Sequence, residues 1–119
     1  MLEQALRREF SGEVRFDAFS RGRYSTDASI YQIMPQGVAI PRGREDVEIA
    51  LAAARAEGVP VTGRGGGTSQ AGQTVNTGLI IDNSAHFNRI LELDIEGRRA
   101  VVEPGIVLDD LNRALKPHG

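Results

Sequence analysis

Thr62 to Gly72 reads Thr-Gly-Arg-Gly-Gly-Gly-Thr-Ser-Gln-Ala-Gly, and this stretch constrains the chain more than any other. Consecutive glycines suit neither a helix nor a strand interior, because glycine loses the most backbone freedom on ordering. Seven of the 14 glycines lie between Gly58 and Gly78. The stretch is short and flanked by apolar segments, so it is a loop with a special backbone requirement and not a low-complexity linker.

The flanks have a regular order. Met1 to Phe10 predicts a short helix with Leu2, Ala5 and Leu6 on one side, and Glu13 to Ile33 reads as irregular. Val38 to Ile40 predicts a strand closed by Pro41. Arg44 to Glu57 is the strongest helix, with Val47, Ala50, Leu51 and Ala54 at i, i+3, i+4, i+7 spacing. Glu45 and Asp46 complement its dipole, and Gly58 supplies the stop. Val59 to Thr62 is a second strand, so strand, helix and strand make a βαβ unit with parallel strands. Past the glycine loop, Leu79 to Ile81 gives a third strand ending at Asp82. Ile90 to Ile95 and Arg98 to Glu103 read as a hairpin around Glu96-Gly97. Pro104-Gly105 breaks it, and Val107 to Lys116 is a last helix with Leu108, Leu111 and Leu115 in register. The sequence stops where that helix ends, and reads as part of a longer protein.

The loop sits at the C-terminal end of a strand, where open α/β units bind ligands. Successive exposed N–H groups in such turns form a concave anion site. Arg64 adds a permanent charge suited to phosphate, and Thr68 and Ser69 add hydroxyls that serve either as ligand donors or as turn formers. A diphosphate cradle satisfies all of this. It is not a Walker A loop, because no Gly-Lys-Ser/Thr ends it. Nor is it the Rossmann G-x-G-x-x-G loop: Thr68 and Gln70 stand where the third glycine is needed, and poor helix formers follow.

Arg64-Gly65-Gly66-Gly67-Thr68-Ser69 resembles the pyrophosphate loop of the vanillyl-alcohol-oxidase / p-cresol-methylhydroxylase family of FAD-linked oxidases. Tyr24-Ser25-Thr26-Asp27-Ala28-Ser29-Ile30-Tyr31 resembles a segment of its glycolate oxidase and D-lactate dehydrogenase branch. Val38-Ala39-Ile40-Pro41-Arg42, Leu79-Ile80-Ile81-Asp82 and Val102-Glu103-Pro104-Gly105 follow the same family's order. The resemblance implies an α+β fold: a small βαβ lobe with a short parallel sheet, plus a hairpin and C-terminal helix, forming the first part of a two-lobe FAD-binding domain. Residues 1–35 would be a leading helix and irregular segment, and 36–119 the FAD-binding lobe and the start of the second lobe. It implies FAD held by Arg64, Gly65, Gly66, Gly67, Thr68, Ser69 and Gly72. Pro41, Pro104 and Gly105 would line the adenosine-diphosphate half, although by physics alone they are strand terminators. Some members attach FAD to a histidine after the Gly-Gly pair. Thr68 stands there in this chain, which implies non-covalent FAD.

The implied activity is oxidation of a 2-hydroxy acid such as D-lactate or glycolate, with the substrate bound by a domain outside this chain. Electrons would leave to an acceptor such as an iron–sulfur or cytochrome partner. The same lobe would also suit an aromatic-alcohol or sugar-lactone oxidase, and a stand-alone nucleotide-binding module is the other reading.

The remaining chemistry is sparse. No cysteine is present, which excludes thiolate catalysis and Cys-based metal sites among these residues. His86 and His118 have no partner motif, so no catalytic residue and no metal site is assigned. Tyr24 and Tyr31 are suited either to packing the lobe or to walling the cofactor, and packing is the favoured reading. A formal charge of −2 gives no pull toward nucleic acid. No apolar run approaches the ~18 residues of a spanning helix, and the charged start lacks a signal-peptide core, so a cytoplasmic setting is the expectation.

Overall fold

Gly37–Ile40 (β2) and Leu79–Asp82 (β4) are buried along their whole length, as strands must be when both sheet faces are covered. They pair in parallel, with Val38 opposite Ile80 and Ala39 opposite Ile81. Side chains alternate across a strand. Ala39, Leu79 and Ile81 therefore share one face, and Val38, Ile40 and Ile80 the other.

The first face is covered by two helices, Leu2–Glu9 (α1) and Arg44–Ala56 (α3). Leu2 and Leu6 from α1 meet Ala50 and Ala54 from α3 in the main core. Full burial of a side chain such as Leu6 stabilises by ~1.5–3 kcal/mol. Tyr24 packs on the second face. These positions come from a computed structural model describing residues 1–119.

The sheet has four strands in the order β1-β2-β4-β3, where β1 is Glu13–Arg15 and β3 is Val61–Arg64. The expected βαβ unit is present, but β2 and β3 are not neighbours: both pair in parallel with β4, which lies between them. Ile90–Asp94 (β5) and Arg99–Val102 (β6) form a separate antiparallel hairpin. Leu108–Leu115 (α4) and a short 3-10 turn over Lys116–His118 complete the chain. None of its helices is long and apolar enough to cross a membrane.

Three expectations need correction. Residues 13–33 are not irregular. They contain β1, paired antiparallel with β2, and a helix over Ala18–Arg23 (α2), capped by Asp17 accepting from the Ser20 N–H. β1 is too short for periodicity to show it, and α2 contains Gly22 and only one large apolar residue. Leu51 is 48% exposed and off the inner face of α3. Ile49, Ala50, Ala53 and Ala54 do the packing instead. Asp46 does more than complement a dipole: it is buried and accepts from the Ser11 N–H and hydroxyl and from the Arg42 N–H. Burial alone would raise its pKa, but these hydrogen bonds outweigh it and hold the carboxyl below its usual range.

Candidate functional site

Because β3 and β4 are parallel neighbours, the segments leaving their C-terminal ends emerge side by side. One is the glycine loop after Arg64; the other is Asn83-Ser84. Asn83 N–H donates to Arg64 O at 2.8 Å and fixes the junction. Between these segments and the start of α4 lies an open cleft of about 660 Å³, within the ~300–1,000 Å³ usual for ligand sites. Gly66, Thr68, Ser84, Asn88, Gly105 and Asp109 are among its walls.

The backbone of the loop is the site's main resource. The N–H groups of Gly65, Gly66, Gly67, Thr68 and Ser69 donate to nothing within the chain. Adjacent free N–H groups of this kind are what an anion-binding nest offers. The glycines divide by cause. A Cβ on Gly67, where φ is +68°, would stand 2.4 Å from Arg64 Nη2, and one on Gly72 would stand 2.8 Å from the Tyr31 ring. The fold demands glycine at those two positions. A Cβ on Gly66 would meet only Thr68 Cγ2, at 3.5 Å, and on Gly65 only Pro104 O, at 3.7 Å. Packing does not require glycine at 65 or 66. Both glycines instead leave open space beside the backbone, room in which a group could come close to the main chain.

The other expected residues take distinct places. Thr68 is exposed on the cleft. The Ser69 hydroxyl turns into its own loop, donating to Gln73 Oε1 and accepting from the Ala71 and Gln73 N–H groups. Arg64 Nη1 donates to Thr26 O at 2.8 Å and to Thr74 O at 3.5 Å, and its guanidinium lies 5.2 Å from the Tyr24 ring centroid. Gly105 joins the cleft wall, pinned by its N–H to Phe87 O at 2.6 Å. Pro104 is exposed beside Gly65. Pro41 is fully buried at the end of β2 and is not in the cleft wall.

Ser84 and Asn88 were not anticipated. The Ser84 hydroxyl donates to Asp82 Oδ1 at 2.6 Å, and Asn88 Nδ2 donates to Ser84 O at 3.2 Å. Parallel pairing of β3 with β4 is the signal that would have brought them to the loop. The far wall of the cleft is acidic. Asp110 is neutralised by Arg113 at 2.6 Å, whereas Asp109 has no ion-pair partner. The glycine side is therefore the less acidic side of the cleft.

A polar frame supports the cleft from behind. The Tyr24 hydroxyl donates to Asp82 Oδ2, and burial first, then that hydrogen bond, pushes its pKa up to about 12. Asp27 accepts from Thr74 Oγ1 at 3.0 Å and from the Ser29 N–H at 2.8 Å. Its carboxyl is held below its usual range by Ser29 and then Thr74. Glu103, buried at the end of the hairpin, takes Arg89 Nη2 at 2.8 Å and the Arg89 N–H at 2.8 Å, which lowers its pKa. A second cleft of similar volume, about 640 Å³, lies between the hairpin and the end of α4 and contains no loop residue.

Comparison with known proteins agrees with this geometry. A family model described as FAD binding domain matches residues 35–119. The chain is 42% identical over 120 residues to a D-2-hydroxyglutarate dehydrogenase of Pseudomonas putida, covering 98% of this chain and 12% of that protein. It is 37% identical over 115 residues to glycolate oxidase subunit GlcD of Bacillus subtilis, covering 93% of this chain and 24% of that protein. It thus spans a minor part of the length of these relatives. Its fold matches a solved alkyldihydroxyacetonephosphate synthase with a TM-score of 0.81 at 20% identity, over 99% of this chain and 25% of that one.

Proposed function

The chain belongs to the FAD binding domain family of FAD-linked oxidases, and from that premise we propose that it is the diphosphate-holding lobe of a longer flavoenzyme that oxidises a 2-hydroxy acid. The observation that carries the reading is the run of unpaired N–H groups from Gly65 to Ser69 beside the cleft. These donors, with the Thr68 hydroxyl, would hold the FAD diphosphate, and Pro104-Gly105 would border its adenosine side. Preorganised N–H groups exchange solvent for an anion with little rearrangement.

When bound, FAD supplies a two-electron acceptor for the substrate C–H. This chain's own contribution is to bind and orient the diphosphate. Substrate and electron acceptor, an iron–sulfur or cytochrome partner, would engage parts of the protein outside these residues. The 2-hydroxy-acid assignment is supported by relatives whose names specify D-2-hydroxyglutarate and glycolate. Thr68 offers no imidazole for covalent attachment, so FAD would be held non-covalently by this lobe.

The test is direct. The purified full-length protein should show a flavin spectrum, and acid precipitation should release free FAD into the supernatant. It should reduce an artificial dye with D-2-hydroxyglutarate, D-lactate or glycolate. A colourless protein that takes up no added FAD ends the proposal. A yellow one active only on aromatic alcohols or sugars moves the substrate class.

A further inference from the structure

The N–H groups of residues 65–69 make no bond within the chain, so the shape of that stretch depends on the side chains packed against it. Three segments meet there: Tyr24 to Asp27, Arg64 to Gly67, and Thr74. Their common contact is one side chain. We infer that Arg64 is a positioning residue whose guanidinium, over Tyr24 and bonded to Thr26 O and Thr74 O, forms the floor on which Gly67 rests and so fixes the phosphate-binding loop.

Nη1 spans two carbonyls, one on each side of the loop, at 2.8 and 3.5 Å. The planar cation lies over the Tyr24 ring at 5.2 Å from its centroid, a cation–π contact. Gly67 lies so close that a Cβ there would reach Nη2 at 2.4 Å, Cζ at 2.8 Å and Nε at 3.0 Å. Tyr24 is itself anchored to the end of β4 through Asp82. A continuous path of contacts therefore runs from the central strand through Tyr24 and Arg64 to Gly67. Its charge also stands beneath a loop built for anions.

This inference rests on the FAD reading above for its functional meaning, but its structural content is independent of any ligand. Nε and Nη2 have no acceptor in the chain, so a direct bond to phosphate is the competing outcome.

The deciding measurement is amide hydrogen exchange of the full-length protein without FAD, followed by FAD titration of the same samples. Ala71, Gln73 and Val75, whose N–H groups are bonded within the loop, report its order. Arg64→Ala and Arg64→Lys should each speed their exchange roughly tenfold or more, the scale of losing charge-assisted hydrogen bonds. Both should weaken FAD by a similar factor. Lysine should not rescue, because a compact ammonium cannot lie flat on the ring and reach both carbonyls. Wild-type exchange without FAD, with affinity lost in Arg64→Ala and restored in Arg64→Lys, would overturn the inference and make Arg64 a phosphate contact. If Arg64→Ala fails to fold, Arg64→Lys carries the same readout. Absence of FAD binding by the wild-type protein would overturn the proposed function while leaving the exchange comparison intact.

Discussion

The hydroxyl of Tyr24 donates to Asp82 Oδ2 across 2.5 Å, tying the segment before the first parallel strand to the end of the central one. Its pKa, raised from 10.0 to about 12, marks the neutral phenol as the form the fold prefers. A raised folded pKa adds stability that is complete below pH 10 and is lost as pH climbs through about 12. Alkaline titration of tyrosinate absorbance should therefore contain a step near 12 that Tyr24→Phe removes. At neutral pH that variant should lose ~0.5–1.5 kcal/mol in urea unfolding. Retention of the late step in Tyr24→Phe would assign it elsewhere.

Asp46 has the opposite sign. Its folded pKa lies below its ordinary value of 3.8, so its contribution is present above that value and disappears as pH falls through the folded one. Asp46→Asn should destabilise by ~1.5–3 kcal/mol at pH 7, the scale of hydrogen bonds to a charged group. Denaturant unfolding should show the gap from wild type shrinking below about pH 4. A gap independent of pH would mean the charge contributes nothing.

Gly66→Ala separates cradle from fold. The added methyl meets only Thr68 Cγ2 at 3.5 Å, and Gly-to-Ala at an unstrained position stabilises by ~0.4–1 kcal/mol. The full-length variant should unfold no earlier than wild type yet bind FAD at least roughly tenfold more weakly, since displacing one or two hydrogen bonds to a charged group costs about that much. Equal FAD affinity would remove Gly66 from the cradle. Gly105→Ala should instead damage the fold, because its Cβ would fall 2.1 Å from Asn83 O and 2.6 Å from Phe87 O.

Arg98 is the one non-glycine residue with positive φ, at +52° in the hairpin turn. The left-handed region costs an ordinary residue ~1–2 kcal/mol, partly offset by the ~0.5–1 kcal/mol of extra entropy glycine loses. Arg98→Gly should raise stability by roughly 0.5–1 kcal/mol in thermal or urea unfolding. A loss would show that the Arg98 side chain holds the turn.

Local signals explain what could be read in advance. The Arg44–Ala56 helix had an acidic start and a Gly58 stop, and the strands at 38–40 and 79–82 were short apolar runs, so each announced itself within a dozen residues. β1 did not, because three residues carry no periodicity and its identity comes from pairing with β2. The expected helix face was displaced from Leu51 to Ile49 and Ala53 because the sheet, not the helix pattern, chooses which stripe is inward. The loop was legible from composition alone. Its cleft partners Ser84 and Asn88 were not, since only the β3–β4 adjacency brings them near. Arg64 was recognised by charge, but its bonds to Thr26 and Thr74 span 38 and 10 residues, beyond any motif.

The position of β4 between β2 and β3 also sets the order of events during synthesis. Both flanking strands precede the one that must join them, so their facing edges have no partner until residues 79–82 have been made. Such edges are templates for pairing with foreign strands. The tether that delivers the missing strand is the glycine loop itself. The stretch that borders the cleft is thus also the connection that lets β4 insert between its two neighbours.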